Sequence, residues 1–170
     1  MTMGNVVIRA FEAQDRASVM AMAGRLMTGV AEWRNQNAAQ SAVSSWVADS
    51  LDAADPATQP VMVAVSTGDT VVGLVTTGTR PHWTGDVDAY VGELVVTEQA
   101  AGQGIGRRLM EAAEEWAASV GHQRLTIETG GANTAARGFY MTAGYVEEEV
   151  ILSKALLRAK EPSPDAKETN

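Results

Sequence analysis

Three glycines, Gly102, Gly104 and Gly106, alternate within the segment 101–107. They follow a run of β-forming residues and precede a run with helical periodicity, so they mark a turn from strand to helix. Glycines leave the backbone N–H groups of such a turn unobstructed, and the first N–H groups of a helix have no intrahelical partner. The helix dipole adds a partial positive charge at the same place. This pattern favours binding of a phosphate or pyrophosphate.

Two nucleotide-binding loops can be tested against this spacing. The nucleoside-triphosphate loop requires Gly-x-x-x-x-Gly-Lys-Ser/Thr, and no Lys-Ser or Lys-Thr follows these glycines. The dinucleotide-binding turn requires Gly-x-Gly-x-x-Gly, and the third glycine is missing whether the count starts at Gly102 or at Gly104. The glycine segment therefore matches neither of these two nucleotide-binding patterns. A glycine turn that serves only to reverse the chain stays open as an alternative.

An asparagine and a tyrosine stand in a second segment, 133–145. Asn133 and Tyr140 are about two helical turns apart and so share one face of a helix. Asn133 also suits a helix N-cap, and Tyr140 also suits a packed aromatic ring with a satisfied hydroxyl. Taken singly, neither residue decides between a binding role and a structural one.

Together the two segments resemble the motifs of the GNAT superfamily of acyl-CoA-dependent N-acetyltransferases. The first motif, Arg/Gln-x-x-Gly-x-Gly/Ala, corresponds to Ala101-Gly102-Gln103-Gly104-Ile105-Gly106, with Ala101 in place of Arg or Gln. The second motif, Asn-x-x-Ala-x-x-Phe/Leu-Tyr-x-x-x-Gly-Phe/Tyr, is matched at every named position between Asn133 and Tyr145.

The resemblance implies acetyl-CoA as the acetyl-donor cosubstrate. Residues 102–107 would hold the pyrophosphate, the backbone of residues 94–96 would pair with the pantetheine arm, Asn133 would contact the pantetheine region, and Tyr140 would lie beside the thioester sulfur. The predicted cofactor-binding residues are Leu94, Val95, Val96, Ala101, Gly102, Gln103, Gly104, Ile105, Gly106, Arg107, Asn133 and Tyr140.

Amide formation also needs a base, because an alkylamine with a pKa of ~10.4 is protonated at neutral pH. Glu93 interrupts an apolar strand, and Glu128 ends another strand. By resemblance, branches of the family place a catalytic carboxylate at either position, and we favour Glu93. Each could instead be a structural carboxylate paired with Arg80 or Arg124. The predicted catalytic residues are Tyr140, Glu93 and Glu128.

Periodicity and turn residues predict the elements that position these side chains. The predicted strands are residues 6–10, 61–66, 71–79, 89–96, 124–129 and 145–152, and 80–86 is a loop. The predicted helices are residues 15–27 with Asp15 as N-cap, 37–51, 105–120 and 133–142. This order favours a mixed α/β sheet with helices on both faces. By resemblance, the sheet is mostly antiparallel and splayed between two central strands.

Composition narrows the class of protein. The 170 residues carry a formal net charge of −8, which argues against nucleic acid as a partner. There is no apolar run of ~20 residues and no charged-then-apolar leader, so we expect a cytoplasmic protein with no membrane partner. Cysteine is absent, and the two histidines, His82 and His122, lack the spacing of metal ligands, so we expect no metal.

We therefore expect a single N-acetyltransferase domain over residues 1–158, followed by a disordered tail over 159–170. It would move an acetyl group from acetyl-CoA to a primary amine, by direct attack in a ternary complex. A small-molecule amine is the favoured acceptor. The acidic residues are typical of a solvated surface, and the alternative is an acidic mouth that attracts a cationic amine. The alternatives are a protein N-terminal or lysine acetyltransferase and a non-catalytic acyl-CoA sensor domain. A homodimer stays open.

Overall fold

One sheet forms the centre of the described part of the chain. In the computed structural model, which describes residues 6–156, apolar and β-branched residues form five strands. The strands are β1 (Val7–Ala10), β2 (Val61–Ser66), β3 (Thr70–Pro81), β4 (Val87–Val96) and β5 (Leu125–Ile127). Their order in the sheet is their order along the chain. All neighbours are antiparallel except β4 and β5, which are parallel.

Helices cover both faces of this sheet. The α-helices of the described residues are α1 (Arg16–Met22), α2 (Gln36–Asp52), α3 (Ile105–Ser119) and α4 (Thr134–Thr142). On one face, Val19 of α1 and Val47 of α2 pack against strand residues such as Leu74. On the other face, Leu109 of α3 packs against Val75 and its neighbours, together with the aromatic residues of α4. The predicted mixed α/β fold with helices on both faces is confirmed.

The strand β3 is longer than predicted. Arg80 and Pro81 pair with Asp88 and Val87 of β4 and so belong to the strand. The predicted loop over residues 80–86 is therefore reduced to residues 82–86.

Asp15 does not cap a long helix, and that prediction was wrong. Residues 13–27 divide into a 3-10 turn, α1 and a second 3-10 turn, Ala23–Met27. The Asp15 carboxylate instead accepts hydrogen bonds from the Arg9 guanidinium, at 2.6 and 2.9 Å, and from the Glu12 N–H at 2.9 Å. These bonds, the Arg9 bond above all, hold the pKa of Asp15 below its ordinary value. The carboxylate ties β1 to the turn before α1.

The predicted last strand, residues 145–152, is not formed. Polar side chains of this segment bond to helices and to a loop. The Tyr145 hydroxyl donates to Glu114 of α3 at 2.9 Å, Arg137 of α4 pairs with Glu147, and the Trp83 indole donates to Glu149 at 3.3 Å. Three consecutive glutamates, residues 147–149, also have low strand propensity. Within residues 6–156 the sheet therefore ends at β5.

The predicted domain, 1–158, and the predicted tail, 159–170, both extend beyond the described residues, so their boundary stays a prediction. None of the helices in residues 6–156 combines the length and the apolar character that crossing a bilayer requires. Within the same residues, no group of three or more His, Asp or Glu side chains is arranged to hold a metal ion.

Candidate active site

The strands β4 and β5 separate after three residue pairs. Ala89, Tyr90 and Val91 pair with the three residues of β5, whereas the rest of β4 has only β3 beside it among the described strands. Leu94, Val95 and Val96 lie in this single-sided part. The predicted splay was between two central strands, whereas in the described residues β5 is an edge strand that pairs with β4 over its three residues only. An extended ligand can add to the open side of β4 as a strand would.

The glycine turn follows a short 3-10 turn, Glu98–Ala100, at the end of β4 and leads into α3. Gly102 has φ 74° and Gly104, the N-cap of α3, has φ 77°, both in the left-handed region that glycine tolerates best. No atom lies within 4 Å of the position that a Cβ would take at either residue. The turn is therefore open above the first N–H groups of α3, which have no partner inside the helix.

Gly106 differs from these two glycines, because a Cβ there would make ordinary van der Waals contacts with neighbouring elements. It lies in the first turn of α3, and a Cβ there would be 3.6 Å from Cζ of Phe139 and 3.8 Å from Cγ2 of Val96. The residue thus brings the start of α3, the end of β4 and the ring of α4 into contact. Both predicted motifs and the predicted pantetheine strand meet at this point.

The polar side chains of the turn are used within the fold. Gln103 Nε2 donates to the Gln99 carbonyl at 2.9 Å and so braces the turn itself. Arg107 Nη2 donates to the Thr142 carbonyl, 3.3 Å away at the end of α4. Ala101, Gly102 and Gln103 are exposed. The backbone N–H groups of the turn, and not these side chains, are therefore the candidate groups for binding an anion.

Asn133 is the N-cap of α4, which is the structural role that the sequence suggested for it. Its Oδ1 accepts a hydrogen bond from the Ala136 N–H at 3.1 Å. Its Nδ2 donates to the Thr28 carbonyl at 3.2 Å. The side chain therefore joins α4 to the connection between α1 and α2.

Two glycines, Gly29 and Gly130, allow the backbones of these two segments to approach each other closely. A Cβ on Gly130 would collide with the Gly29 carbonyl oxygen, and a Cβ on Gly29 would lie 2.6 Å from Cβ of Asn133. Gly29 also has φ 93°. The segment after α1 therefore touches the segment after β5, beside the place where β4 and β5 separate.

Tyr140 is the central ring of three neighbouring aromatics. Its centroid lies 5.2 Å from that of Phe139 and 5.9 Å from that of Tyr145, both in edge-on arrangements. Burial raises the pKa of the Tyr140 phenol to about 12. The hydroxyl therefore carries its proton at neutral pH and is a hydrogen-bond donor.

Glu93 is buried on the α2 side of the sheet. The β3–β4 register shifts between Val75 and Thr77, so that Gly92 and Glu93 together oppose Thr76 in a bulge. Glu93 Oε2 accepts hydrogen bonds from Ser50 Oγ of α2 at 2.9 Å and from Thr76 Oγ1. The residue is 7% exposed, and no described cation pairs with its carboxylate.

Glu128 stands in a contrasting environment. It follows β5, its side chain is 79% exposed, and it forms an ion pair with Arg80. Arg80 also donates to Thr126 Oγ1 at 3.2 Å and lies over the Tyr90 ring, 5.5 Å from the centroid. The pairing with Arg80 that the sequence suggested for a structural carboxylate is present at Glu128, whereas no described arginine pairs with Glu93.

This arrangement can be set beside known proteins. The sequence profile of the Acetyltransferase (GNAT) family matches residues 26–145, which include β2 to β5, the glycine turn and both motifs. The chain belongs to the GNAT acetyltransferase family. The structural neighbours and a curated relative agree with this assignment.

Among these proteins, the mycothiol acetyltransferase of Jonesia denitrificans is 37% identical over 89 residues. That match covers 52% of this chain and 27% of the relative, so the chain spans well under half of the relative's length. A putative acetyl transferase from Pyrococcus furiosus has a TM-score of 0.71 at 19% identity, over 89% of this chain and 100% of that one. AAC(6')-Iy, solved with the bisubstrate analogue CoA-S-monomethyl-acetylneamine, has a TM-score of 0.65 at 17% identity, over 90% and 99%.

The GNAT motifs alone do not reveal the residues that hold Glu93. Ser50 is 43 positions before Glu93 and Thr76 is 17 positions before it, and neither belongs to a motif. One local signal was available, because an isolated glycine inside a strand, here Gly92, often marks a bulge. A predicted bulge indicates an irregular orientation at Glu93, but the helix that it faces and its hydrogen-bond partners require the tertiary structure.

Proposed function

We propose that this GNAT protein transfers an acetyl group from acetyl-CoA to a primary amine by direct attack within a ternary complex. The observation that carries the proposal is the open glycine turn at the start of α3, in contact with the single-sided end of β4 and with α4. An anion-binding helix end and an unpaired strand edge are the two features that a pyrophosphate with an attached pantetheine arm requires.

In this proposal the pyrophosphate lies on the N–H groups of residues 102–107, and the pantetheine arm pairs with the backbone of Leu94, Val95 and Val96. The separation of β4 from β5 supports this placement. The side chain of Asn133 already binds Thr28 and caps α4, so we assign it to supporting this wall of the donor site. When bound, acetyl-CoA supplies the activated thioester.

Glu93 is our candidate for the base. The amine nitrogen must lose a proton before it attacks the thioester carbon, and Glu93 can take that proton directly or through a water molecule. A buried carboxylate without a cation partner supports this role. Glu128 is the weaker candidate, because Arg80 neutralises its charge and most of its side chain is in solvent.

Tyr140 is our candidate for stabilising the leaving group. As the C–N bond forms and the C–S bond breaks, negative charge moves to the sulfur of CoA. Complete proton transfer from a phenol with a pKa of about 12 to a thiolate with a pKa of ~8.5 is uphill by about 5 kcal/mol. We therefore propose that Tyr140 donates a hydrogen bond to the thiolate, and that solvent supplies the proton.

The acceptor is proposed to be a small cationic amine. The net charge of −8 and the uncompensated Glu93 carboxylate favour a cation, and the neighbour AAC(6')-Iy was solved with an analogue that joins CoA to an acetylneamine. A protein N-terminus or lysine is the alternative acceptor. A sensor domain that binds acyl-CoA without turnover is the alternative to an enzyme.

An amine panel tests both the activity and the acceptor class. Thiol release from acetyl-CoA would be followed with a polyamine, an aminoglycoside, an acidic amino acid, a peptide with a free N-terminus and a lysine peptide. We expect the highest kcat/KM for the two polycations, with a KM that rises with salt because screening weakens the attraction. A preference for the acidic amino acid overturns the acceptor class. Tight acetyl-CoA binding without thiol release for any amine overturns the proposal that the protein is an enzyme and favours the sensor domain.

The base is tested by a matched pair of variants. Glu93→Gln should lower kcat by about 10²-fold, within the usual range for loss of a general base. Glu128→Gln should retain the kcat of the parent protein. Rates at saturating acetyl-CoA with the best acceptor measure this. The reverse result would transfer the role to Glu128, and full activity of both variants would leave the proton to water alone.

A further inference from the structure

Thr76 makes two hydrogen bonds to the same residue. Its hydroxyl oxygen accepts from the backbone N–H of Glu93 at 2.9 Å, and the hydroxyl donates its proton to Glu93 Oε2. A hydroxyl group has one proton and two lone pairs, so both bonds can exist together. Thr76 therefore joins the backbone and the carboxylate of Glu93 in one ring and fixes the side-chain rotamer.

Ser50 adds a second donor from another element. Its hydroxyl donates to Glu93 Oε2 at 2.9 Å, and Ser50 belongs to α2, on the helical layer that covers this face. The carboxylate is thus held from β3 and from α2 at once. Gly92 leaves room for this arrangement, because a Cβ there would lie 2.8 Å from Thr76 Oγ1 and 4.0 Å from Ser50 Oγ.

Both donors bind Oε2, which leaves the other carboxylate oxygen unused. Glu93 Oε1 receives no hydrogen bond from any residue in 6–156. Within residues 6–156 no fully buried side-chain nitrogen or oxygen lacks a hydrogen-bond partner, and Oε1 is not among the atoms that are buried without one. The asymmetry separates an anchored oxygen from an oxygen that can accept a proton.

We propose that Thr76 and Ser50 are positioning residues that anchor Glu93 through Oε2 and so present Oε1 as the atom that takes the proton of the acceptor amine. This inference rests on the proposed role of Glu93 as the base. The proton passes from the amine nitrogen, or from a water molecule that the amine has protonated, to Oε1. The two hydroxyls keep their own protons throughout.

Removing each hydroxyl tests this inference. Thr76→Val keeps the shape of the side chain but deletes the hydroxyl, and it should lower kcat by about tenfold or more, because a misplaced catalytic group costs up to about 10²-fold. Ser50→Ala deletes only a donor to Oε2 and should lower kcat by about threefold or more. The KM for acetyl-CoA should change by less than about twofold in both, since neither residue is in the donor site.

A neighbouring threonine provides the matched control. Thr77 is also buried on β3, and its hydroxyl donates to the Pro60 carbonyl at 2.7 Å, away from Glu93. Thr77→Val should lower the melting temperature as Thr76→Val does, because each deletes a buried hydrogen bond, but should retain kcat. Thr76→Ser retains the hydroxyl and should return kcat to within about threefold of the parent protein.

The outcomes distinguish the positioning role of Thr76 and Ser50 from the proposed role of Glu93 as the base. Full kcat in Thr76→Val and Ser50→Ala, with Glu93→Gln inactive, overturns the positioning role and leaves Glu93 as the base. Full activity in Glu93→Gln overturns the base itself. If Thr76→Val does not fold, Ser50→Ala decides alone, because it leaves the backbone bond between Glu93 and Thr76 in place.

Discussion

The two faces of the sheet are built in different ways. On the α3 face, the glycine turn and the aromatic residues of α4 come from two short contiguous segments, and backbone groups provide the candidate binding surface. On the α2 face, the polar residues come from distant parts of the chain. Glu93 is bonded to Ser50, 43 positions away, and Glu128 to Arg80, 48 positions away.

This difference predicts which substitutions should impair the function of each face. A surface made of backbone N–H groups is insensitive to most side chains but sensitive to any Cβ that changes φ or blocks the approach of a ligand. A site made of hydroxyls and carboxylates depends on single atoms that isosteric substitutions remove. Adding atoms should therefore disable the α3 face, whereas removing atoms should disable the α2 face.

The largest effect is expected from Gly104→Val. The left-handed φ of 77° strains a β-branched residue, and the side chain would stand where we place the pyrophosphate. Acetyl-CoA should stabilise the parent protein by about 2.7 kcal/mol at about a hundredfold excess over Kd, and this gain should be lost in the variant. Thermal unfolding with and without acetyl-CoA measures it.

Gly121 supplies the control for strain. It follows the other end of α3, with φ 89° and no atom within 4 Å of the position that a Cβ would take. Gly121→Val should lose comparable stability and still respond to acetyl-CoA. If Gly104→Val binds acetyl-CoA as tightly as the parent protein, the pyrophosphate lies elsewhere.

A smaller effect is expected where the α3 face uses a side-chain atom. Tyr140→Phe keeps the ring and its two aromatic contacts but deletes the hydroxyl that would stabilise the thiolate, so kcat should fall by about 10²-fold with little change in acetyl-CoA affinity. Tyr145→Phe, which deletes the hydroxyl bonded to Glu114, should retain kcat. Turnover of Tyr140→Phe within about threefold of the parent, an energy difference of only ~0.7 kcal/mol, would remove Tyr140 from the chemistry.

The smallest effect concerns stability at high pH. Because burial raises the pKa of Tyr140 from 10.0 to about 12, the unfolded chain loses this proton first as the pH rises. The neutral phenol therefore contributes to the free energy of unfolding, and this contribution is fully present below pH 10.0. It is lost between pH 10.0 and about pH 12, by at most about 1.4 kcal/mol per pH unit. Urea unfolding at pH 9 and 11 should show a smaller decrease for Tyr140→Phe than for the parent, and equal decreases would contradict the assigned burial.

Several elements follow from local pattern alone. β2 has the predicted bounds, and α3 differs from its prediction by one residue, because its buried positions recur every three or four residues. The prediction failed where side chains made contacts with other elements. Asp15 suits an N-cap but bonds Arg9, and residues 145–152 have apolar residues suited to a strand but are held by Glu114, Arg137 and Trp83.

The same distinction separates the parts of the candidate site. The glycine turn and the Asn133 cap could be predicted from the sequence, because a positive φ and a helix cap depend on residues within three or four positions. The contrast between Glu93 and Glu128 was decided only by the tertiary structure. A bulge in the β3–β4 pairing turns Glu93 toward α2 and its hydroxyl partner, whereas the parallel pairing of β4 with β5 brings Glu128 to Arg80. Both environments arise from strand register, which is a property of pairs of segments and not of either segment alone.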